Sequence, residues 1–166
     1  MTGNSFLQTI LIMEIHLCTK EDFNQIYTDI TDFWGSDRTL HLHHPSLIYE
    51  FGNTSFVIRE ENIVLAYIFS YLSQTESLIY VHLLGVREAY QKRGLGTALY
   101  EQVTKLARAN NIKKIKAITT PDNFKSIAFH TKMGMKMLGE PDENGINIIH
   151  EYSGPGLDRV VFEKEL

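Results

Sequence analysis

Apolar and polar residues along this chain follow the two periods that distinguish strands from helices. Apolar runs rich in β-branched and aromatic residues predict strands at residues 11–17, 56–59, 63–73, 78–86, 112–119, 135–138 and 159–164. Apolar residues at helical spacing predict helices at about 20–34 and 95–109. Pro45 predicts the start of a short helix at 46–51, and residues 121–123 with Gly134 delimit another at 124–133. The polar segment 60–62 between two of the strands predicts a hairpin turn.

The order of these elements predicts an α/β fold built on a mixed sheet. The strands between residues 56 and 86 follow one another through short turns, which predicts an antiparallel meander. A helix joins strand 78–86 to strand 112–119, and this is the usual connection between parallel strands. We therefore expect one domain over residues 1–166, with about six or seven strands and about four helices. Residues 1–12 are interpreted as an N-terminal extension, because Met13 offers a second start directly before a strand.

Composition and charge narrow the classes of function. The formal net charge of −4 argues against a protein that binds nucleic acid through a broad basic face. The single cysteine, Cys18, cannot form an internal disulfide, and the N-terminus has neither a signal-peptide pattern nor the length to span a membrane. We expect a cytoplasmic protein with no nucleic-acid or membrane partner.

The segment from Val86 to Leu99 carries the clearest candidate chemistry. It joins an apolar strand to a helix through a basic turn that contains Gly94 and Gly96. Backbone N–H groups at such a helix N-terminus attract phosphate. A P-loop is excluded because Lys92 precedes the glycines instead of following them, and Leu99 occupies the third glycine position of a dinucleotide fingerprint.

Two motifs identify a family that the chain resembles. Gln91-Lys92-Arg93-Gly94-Leu95-Gly96 fits the pattern Gln/Arg-x-x-Gly-x-Gly/Ala, and a second block runs from Asn123 through Ser126, Phe129, His130 and Lys132 to Gly134-Met135. Both motifs resemble those of the Gcn5-related N-acetyltransferase (GNAT) superfamily. The terminal segment 154–162 resembles a strand in a bacterial branch that acts on small molecules. The chain departs from the pattern at His130, where Tyr is commonest, and at Met135, which replaces an aromatic residue.

The resemblance implies the GNAT fold and acetyl-CoA as the second substrate. The backbone from Arg93 to Thr97 would hold the pyrophosphate, and the pantetheine arm would run beside the end of strand 78–86 and contact Asn123. The cofactor-binding residues expected on this basis are Leu84, Val86, Gln91, Lys92, Arg93, Gly94, Leu95, Gly96, Thr97, Asn123, Ser126 and His130.

Two histidines are the candidate catalytic residues. Regular alternation along strand 78–86 predicts that Tyr80, His82, Leu84 and Val86 share one face. His82 is the imidazole of that face and is predicted to deprotonate the amine, directly or through a water. His130 stands where the family has a Tyr that faces the sulfur, so we expect it to contact the sulfur or to return a proton to it.

The acceptor pocket is the least constrained part of the interpretation. Its candidate walls are Phe33, Trp34, His41, His43 and Tyr80. No metal is expected, because the cluster of His41, His43 and His44 has no Cys or carboxylate beside it. The expected activity is direct transfer of acetyl from acetyl-CoA to a primary amine of a small molecule. A protein or peptide acceptor and a non-catalytic CoA-binding regulatory module are the alternatives, and a homodimer is common in such folds.

Overall fold

The computed structural model describes residues 13–166, which form a seven-stranded mixed sheet with helices on both faces. The strands are β1 Ile15–Leu17, β2 Phe56–Glu60, β3 Ile63–Leu72, β4 Leu78–Val86, β5 Lys114–Thr119, β6 Lys136–Met137, β7 Glu140–Pro141, β8 Asn147–Ile148 and β9 Val160–Glu165. The sheet order is β1-β2-β3-β4-β5-β9-β6, and β7 and β8 form a separate hairpin that was not predicted. Within this sheet only β4 and β5 are parallel, which confirms the predicted mixed sheet with its meander and crossover.

The helices are α1 Lys20–Thr28, α2 Ile30–Trp34, α3 Ser46–Tyr49, α4 Leu95–Ala109 and α5 Phe124–Lys132. The predicted single helix from 20 to 34 is wrong, because the chain leaves helical geometry at Asp29. Arg87 explains the break: its guanidinium donates to Asp29 at 2.6 Å and to Asp32 at 2.7 Å, so both carboxylates turn toward one cation.

Two apolar clusters cover the two faces of the sheet. On the first face, which we call the α4 face, Leu95, Leu99 and Val103 of α4 pack on the strands, and Ile127 and Phe129 of α5 lie against the same cluster. On the second face, which we call the α1 face, α1 and α2 cover β2, β3 and β4 through a smaller cluster. The period-3.6 apolar stripe predicted for α4 accounts for this packing.

A β-bulge in β4 changes the predicted placement of the candidate residues. Ser70 pairs with Val81 and Phe69 pairs with Leu83, so His82 is the extra residue of its strand. Tyr80 and His82 therefore lie on the α1 face, while Leu84 and Val86 pack in the cluster of the α4 face. The prediction that all four share one face is wrong, because regular alternation holds only up to the bulge.

Two predictions concern residues that precede Met13. The predicted first strand begins at residue 11, and residues 11 and 12 lie outside the described residues, as does the interpreted extension 1–12. Among residues 13–166, no helix is long and apolar enough to cross a membrane. The single-domain assignment stays a prediction.

Candidate active site

A gap opens between β4 and β5 at the level of His82. The parallel pairing ends with Val81 opposite Ala117, and β5 continues to Thr119 paired only with β9. Across residues 13–166, no strand therefore pairs with the β5-facing edge of β4 from His82 to Val86. Because backbone N–H and C=O groups need partners, this free edge can hydrogen-bond an extended ligand.

The turn after β4 presents a run of free backbone donors. Lys92 and Gly94 take positive φ values of 61° and 82°, and Gly94 caps α4 without a side-chain hydrogen bond. The N–H groups from Lys92 to Thr97 donate to no acceptor in the described chain. Alternating left- and right-handed residues before a helix N-terminus form a concave anion site, and this turn has that geometry.

Side chains brace this turn against its neighbours. The Gln91 amide donates to the Val86 carbonyl at 3.2 Å and accepts from the Lys125 ammonium. The Arg93 guanidinium stacks 4.9 Å from the centre of the Tyr90 ring. Lys125 was not predicted as a site residue. Its position in the first turn of α5, two residues after Asn123, was the signal that could have identified it.

The start of α5 is capped by a predicted cofactor residue. The Asn123 Oδ1 accepts from the Ser126 backbone N–H at 3.1 Å, so the Asn123 amide NH₂ remains available to a ligand. The Ser126 hydroxyl lies 3.2 Å from Nδ1 of His130. Ser126 is therefore turned along its own helix toward His130.

His82 has a defined tautomer. Its Nε2 lies 3.1 Å from the Leu42 carbonyl oxygen. A carbonyl can only accept, so Nε2 carries the proton of the neutral ring and Nδ1 keeps a free lone pair. Burial lowers the pKa of His82, and the bond to the Leu42 carbonyl opposes this in part. The ring is thus neutral near pH 7 and can accept a proton at Nδ1.

His130 lies on the opposite face of the sheet from His82. It stacks on Phe162 with ring centroids 4.7 Å apart and meets Tyr100 and Phe129 edge to face. Its Nδ1–H donates to the Ser126 carbonyl at 2.8 Å, which leaves Nε2 as an acceptor. Burial lowers the pKa of His130, and this carbonyl opposes the effect. A neutral ring of this tautomer can accept a proton from a thiol but has none to give at Nε2.

The predicted acceptor residues do not surround one pocket. Tyr80 lines a cavity of about 610 Å³, and His41 and His43 line a separate cavity of about 400 Å³. Phe33 and Trp34 line neither of these two cavities. Phe33 is a core residue that packs edge-on against Tyr67, and Trp34 donates its Nε1–H to the Tyr67 hydroxyl at 2.8 Å. Both residues therefore pack against the core beneath β3 and β4 and do not form the predicted pocket wall.

His43 belongs to the same buried network. Its Nδ1–H donates to the Thr39 carbonyl at 2.8 Å, and the Tyr67 hydroxyl donates to its Nε2 at 2.7 Å. Burial lowers the pKa of His43. Because both ring nitrogens already have partners, His43 holds the segment before α3 in place and has no free atom for a ligand. In the described residues, no three His, Cys, Asp or Glu side chains are grouped to hold a metal ion.

Comparisons of the sequence identify a family and partial relatives. The model of the acetyltransferase (GNAT) family matches residues 20–135. A segment of 55 residues is 38% identical to the protein YxbD of Bacillus subtilis, covering 33% of this chain and 35% of that protein. A segment of 96 residues is 30% identical to tyramine N-feruloyltransferase 4/11 of Nicotiana tabacum, covering 55% of this chain and 42% of that enzyme. The chain thus spans less than half the length of these two relatives.

Solved structures share the fold at low sequence identity. Ard1 from Thermoplasma volcanium superposes with a TM-score of 0.71 at 17% identity, over 92% of this chain and 97% of that chain. The PaiA N-acetyltransferase of Thermoplasma acidophilum, solved with coenzyme A, gives 0.70 at 13% identity, over 93% and 99%. At such identities the likeness confirms the predicted fold and no more.

Proposed function

This chain belongs to the acetyltransferase (GNAT) family, and from that premise we propose that it transfers an acetyl group from acetyl-CoA to a primary amine of a small molecule. The enzyme class, an acyltransferase, is confirmed at the level of the family. The observation that carries the cofactor assignment is the run of free N–H groups from Lys92 to Thr97 at the end of the unpaired edge of β4. We propose that the protein acts in the cytoplasm and that its reaction uses no metal, nucleic acid or membrane.

The geometry supports one path for the cofactor. The pyrophosphate would bind the concave backbone site, where the α4 dipole and the charges of Lys92, Arg93 and Lys125 favour anions. The pantetheine amides would pair with the free edge of β4 between His82 and Val86. The free Asn123 NH₂ group would donate to the same arm. These contacts bring the thioester to the point where β4 and β5 separate.

The chemistry then requires a base on one side of the gap. The neutral amine attacks the thioester carbonyl, an N–C bond forms, and the C–S bond breaks. Nδ1 of His82 accepts the proton that the amine loses, and CoA leaves as a thiolate that is protonated from solvent. His130 lies on the other face, and its Nε2 can accept a hydrogen bond from the CoA thiol once the thiolate has been protonated. Cys18 is buried, which raises its thiol pKa, so it offers no nucleophile for a covalent acyl-enzyme, and direct transfer is the simpler route.

The relatives and the cavities favour a small acceptor over a protein. The partial relative from Nicotiana tabacum is named for tyramine, a small primary amine. Both cavities described above are small enough for such a molecule, at about 610 and 400 Å³. The shared fold of Ard1 carries no information on the acceptor at this identity.

A matched pair of glycine variants tests the cofactor site. Gly94 and Gly145 both have positive φ, 82° and 77°, and a Cβ on either would meet nothing within 4 Å. Aspartate therefore brings similar backbone strain at each position, but only at Gly94 does its charge lie in the anion site. Acetyl-CoA at 100 times its Kd stabilises the native protein by about 2.7 kcal/mol, a rise in melting temperature of about 5–10 °C.

We expect this thermal shift in the wild type and in Gly145→Asp, and its loss in Gly94→Asp. An equal shift in both variants would show that the phosphate lies elsewhere. No shift in the wild type would contradict the cofactor assignment itself.

A further inference from the structure

The larger cavity lies on the α1 face, the same face as His82. Its volume is about 610 Å³, and it is lined by the polar turn 73–76 and by an apolar and aromatic set that includes Leu47, Phe51, Tyr71, Leu78, Tyr80 and Tyr152. Tyr80 and its parallel-strand partner Lys116 stand one residue before the last pair that holds β4 and β5 together. The cavity therefore begins where the gap for the thioester ends.

Three rings lie together where Tyr71 and Tyr80 of the cavity lining meet His82. The centroids of Tyr71 and Tyr80 are 5.3 Å apart, and the His82 ring lies 6.0 Å from Tyr71 and 6.2 Å from Tyr80. Burial raises the pKa of both tyrosines, so this ring cluster is uncharged near pH 7. The faces of such rings attract an ammonium group, and their low polarity favours its neutral, nucleophilic form.

The two charged residues of the cavity wall lie at different depths. Glu76 and Lys116 are the charged residues of the wall, and Glu76 is exposed on the turn after β3. Lys116 lies deeper, with a side chain only 16% exposed and its ammonium 3.4 Å from a Glu163 carboxylate oxygen. A polyamine whose second ammonium extended into the depth of the cavity would meet this lysine there, because the carboxylate of Glu76 lies at the exposed rim.

We propose, on the basis of the acetyltransferase activity proposed above, that the acceptor is an arylalkyl monoamine. Its aromatic body fills the larger cavity, and its single nitrogen lies against the ring cluster within reach of Nδ1 of His82. Apolar walls with one polar end are typical of sites for such ligands. Phe51 and Lys116 then determine specificity: Phe51 by contact with the aromatic body, Lys116 by rejecting a second charge.

A panel of amines tests this class in the full-length protein. Release of free CoA thiol is measured with acetyl-CoA and 2-phenylethylamine, spermidine, or a peptide that begins with alanine. We expect kcat/KM for 2-phenylethylamine to exceed that of the other two by about tenfold or more. We expect Lys116→Gln to move the ratio toward spermidine by a similar factor, since it removes the repelling charge and leaves Glu163 with Lys114 as its cationic partner.

Two exposed aromatic residues locate the acceptor. Phe51 and Tyr27 are 44% and 45% exposed, and they line the larger and the smaller cavity respectively. Replacement of either by alanine costs little packing. We expect Phe51→Ala to raise KM for 2-phenylethylamine about tenfold with little change in kcat, and Tyr27→Ala to leave both unchanged.

The outcomes separate this inference from the proposed function. Preference for spermidine or for the peptide overturns the acceptor class, while turnover itself still supports an acetyltransferase. A raised KM in Tyr27→Ala alone places the acceptor in the smaller cavity and also overturns the inference. If acetyl-CoA raises the melting temperature but no amine releases thiol, both the catalytic proposal and the inference fail.

Discussion

Replacement of Gly85 by alanine should disrupt the support beneath the active site. A Cβ at Gly85 would lie 2.4 Å from Cε1 and 2.6 Å from Cζ of Tyr67. Tyr67 has no exposed surface, and its hydroxyl is bound to both Trp34 and His43. The ring cannot rotate into open space, so the whole side chain or the strand must move.

The cost follows from this geometry. Overpacking of a well-packed core costs about 1–3 kcal/mol. Displacement of Tyr67 also weakens its two buried hydrogen bonds, and each is worth about 1 kcal/mol. We therefore expect Gly85→Ala to lower the free energy of unfolding by about 3–5 kcal/mol.

Urea unfolding followed by the fluorescence of Trp34 measures this loss, because Trp34 is the single tryptophan and contacts Tyr67. Gly52→Ala is the control: its φ is not in the left-handed region, and its Cβ would lie 3.6 Å from Ile48 Cγ2, an ordinary contact. This control should be neutral or stabilising by up to about 1 kcal/mol. If the free energy of unfolding of Gly85→Ala is within about 0.5 kcal/mol of the wild-type value, the assignment of Tyr67 as a rigid support is refuted. Gly85→Ala and Tyr67→Leu together should cost less than the sum of their separate costs, since leucine removes the clashing ring.

Two further predictions concern Arg87 and His82. Arg87→Met should lower the free energy of unfolding in urea by about 2–3 kcal/mol, which is below the usual range for a buried ion pair because Asp29 and Asp32 are 35% and 60% exposed. Arg59→Met is the control: it loses one contact of 3.5 Å and should cost less than about 1 kcal/mol. Equal costs would contradict the assigned role of Arg87. For His82, whose pKa burial lowers, kcat at saturating amine should rise with pH through a pKa below the usual ~6.5 and then level off. His82→Ala should lose this acidic limb and about 10²–10³ in kcat. A variant that keeps the limb would exclude His82 as the base.

Two long periodic segments were predicted from the sequence with accurate boundaries. The predicted strand 78–86 and helix 95–109 are β4 and α4 as the structure has them. Each carries an apolar pattern long enough to fix its type and ends at a turn residue. The turn between them could also be predicted, because Gly94 occupies a left-handed conformation that a side chain would strain.

The errors occur where distant residues decide the local structure. The break at Asp29 depends on Arg87, which lies 58 residues away. The bulge at His82 depends on how β3 pairs with β4, and no residue in β4 marks it. Phe33 and Trp34 have the composition of a pocket wall, but Tyr67 draws them into the core. None of these contacts has a signature within a short window of sequence.

The bulge explains how β4 places candidate site residues on both faces of the sheet. With regular alternation, Leu84 and Val86 would follow Tyr80 and His82 onto the α1 face, and α4 would lose the apolar residues on which its first turn packs. The extra residue keeps Leu84 and Val86 beneath α4, while His82 stays on the α1 face beside Tyr71 and Tyr80, which line the cavity that we assign to the acceptor. In the mechanism proposed above, cofactor binding and deprotonation of the amine would therefore depend on the same nine residues of β4. A variant that removes the bulge should impair both together.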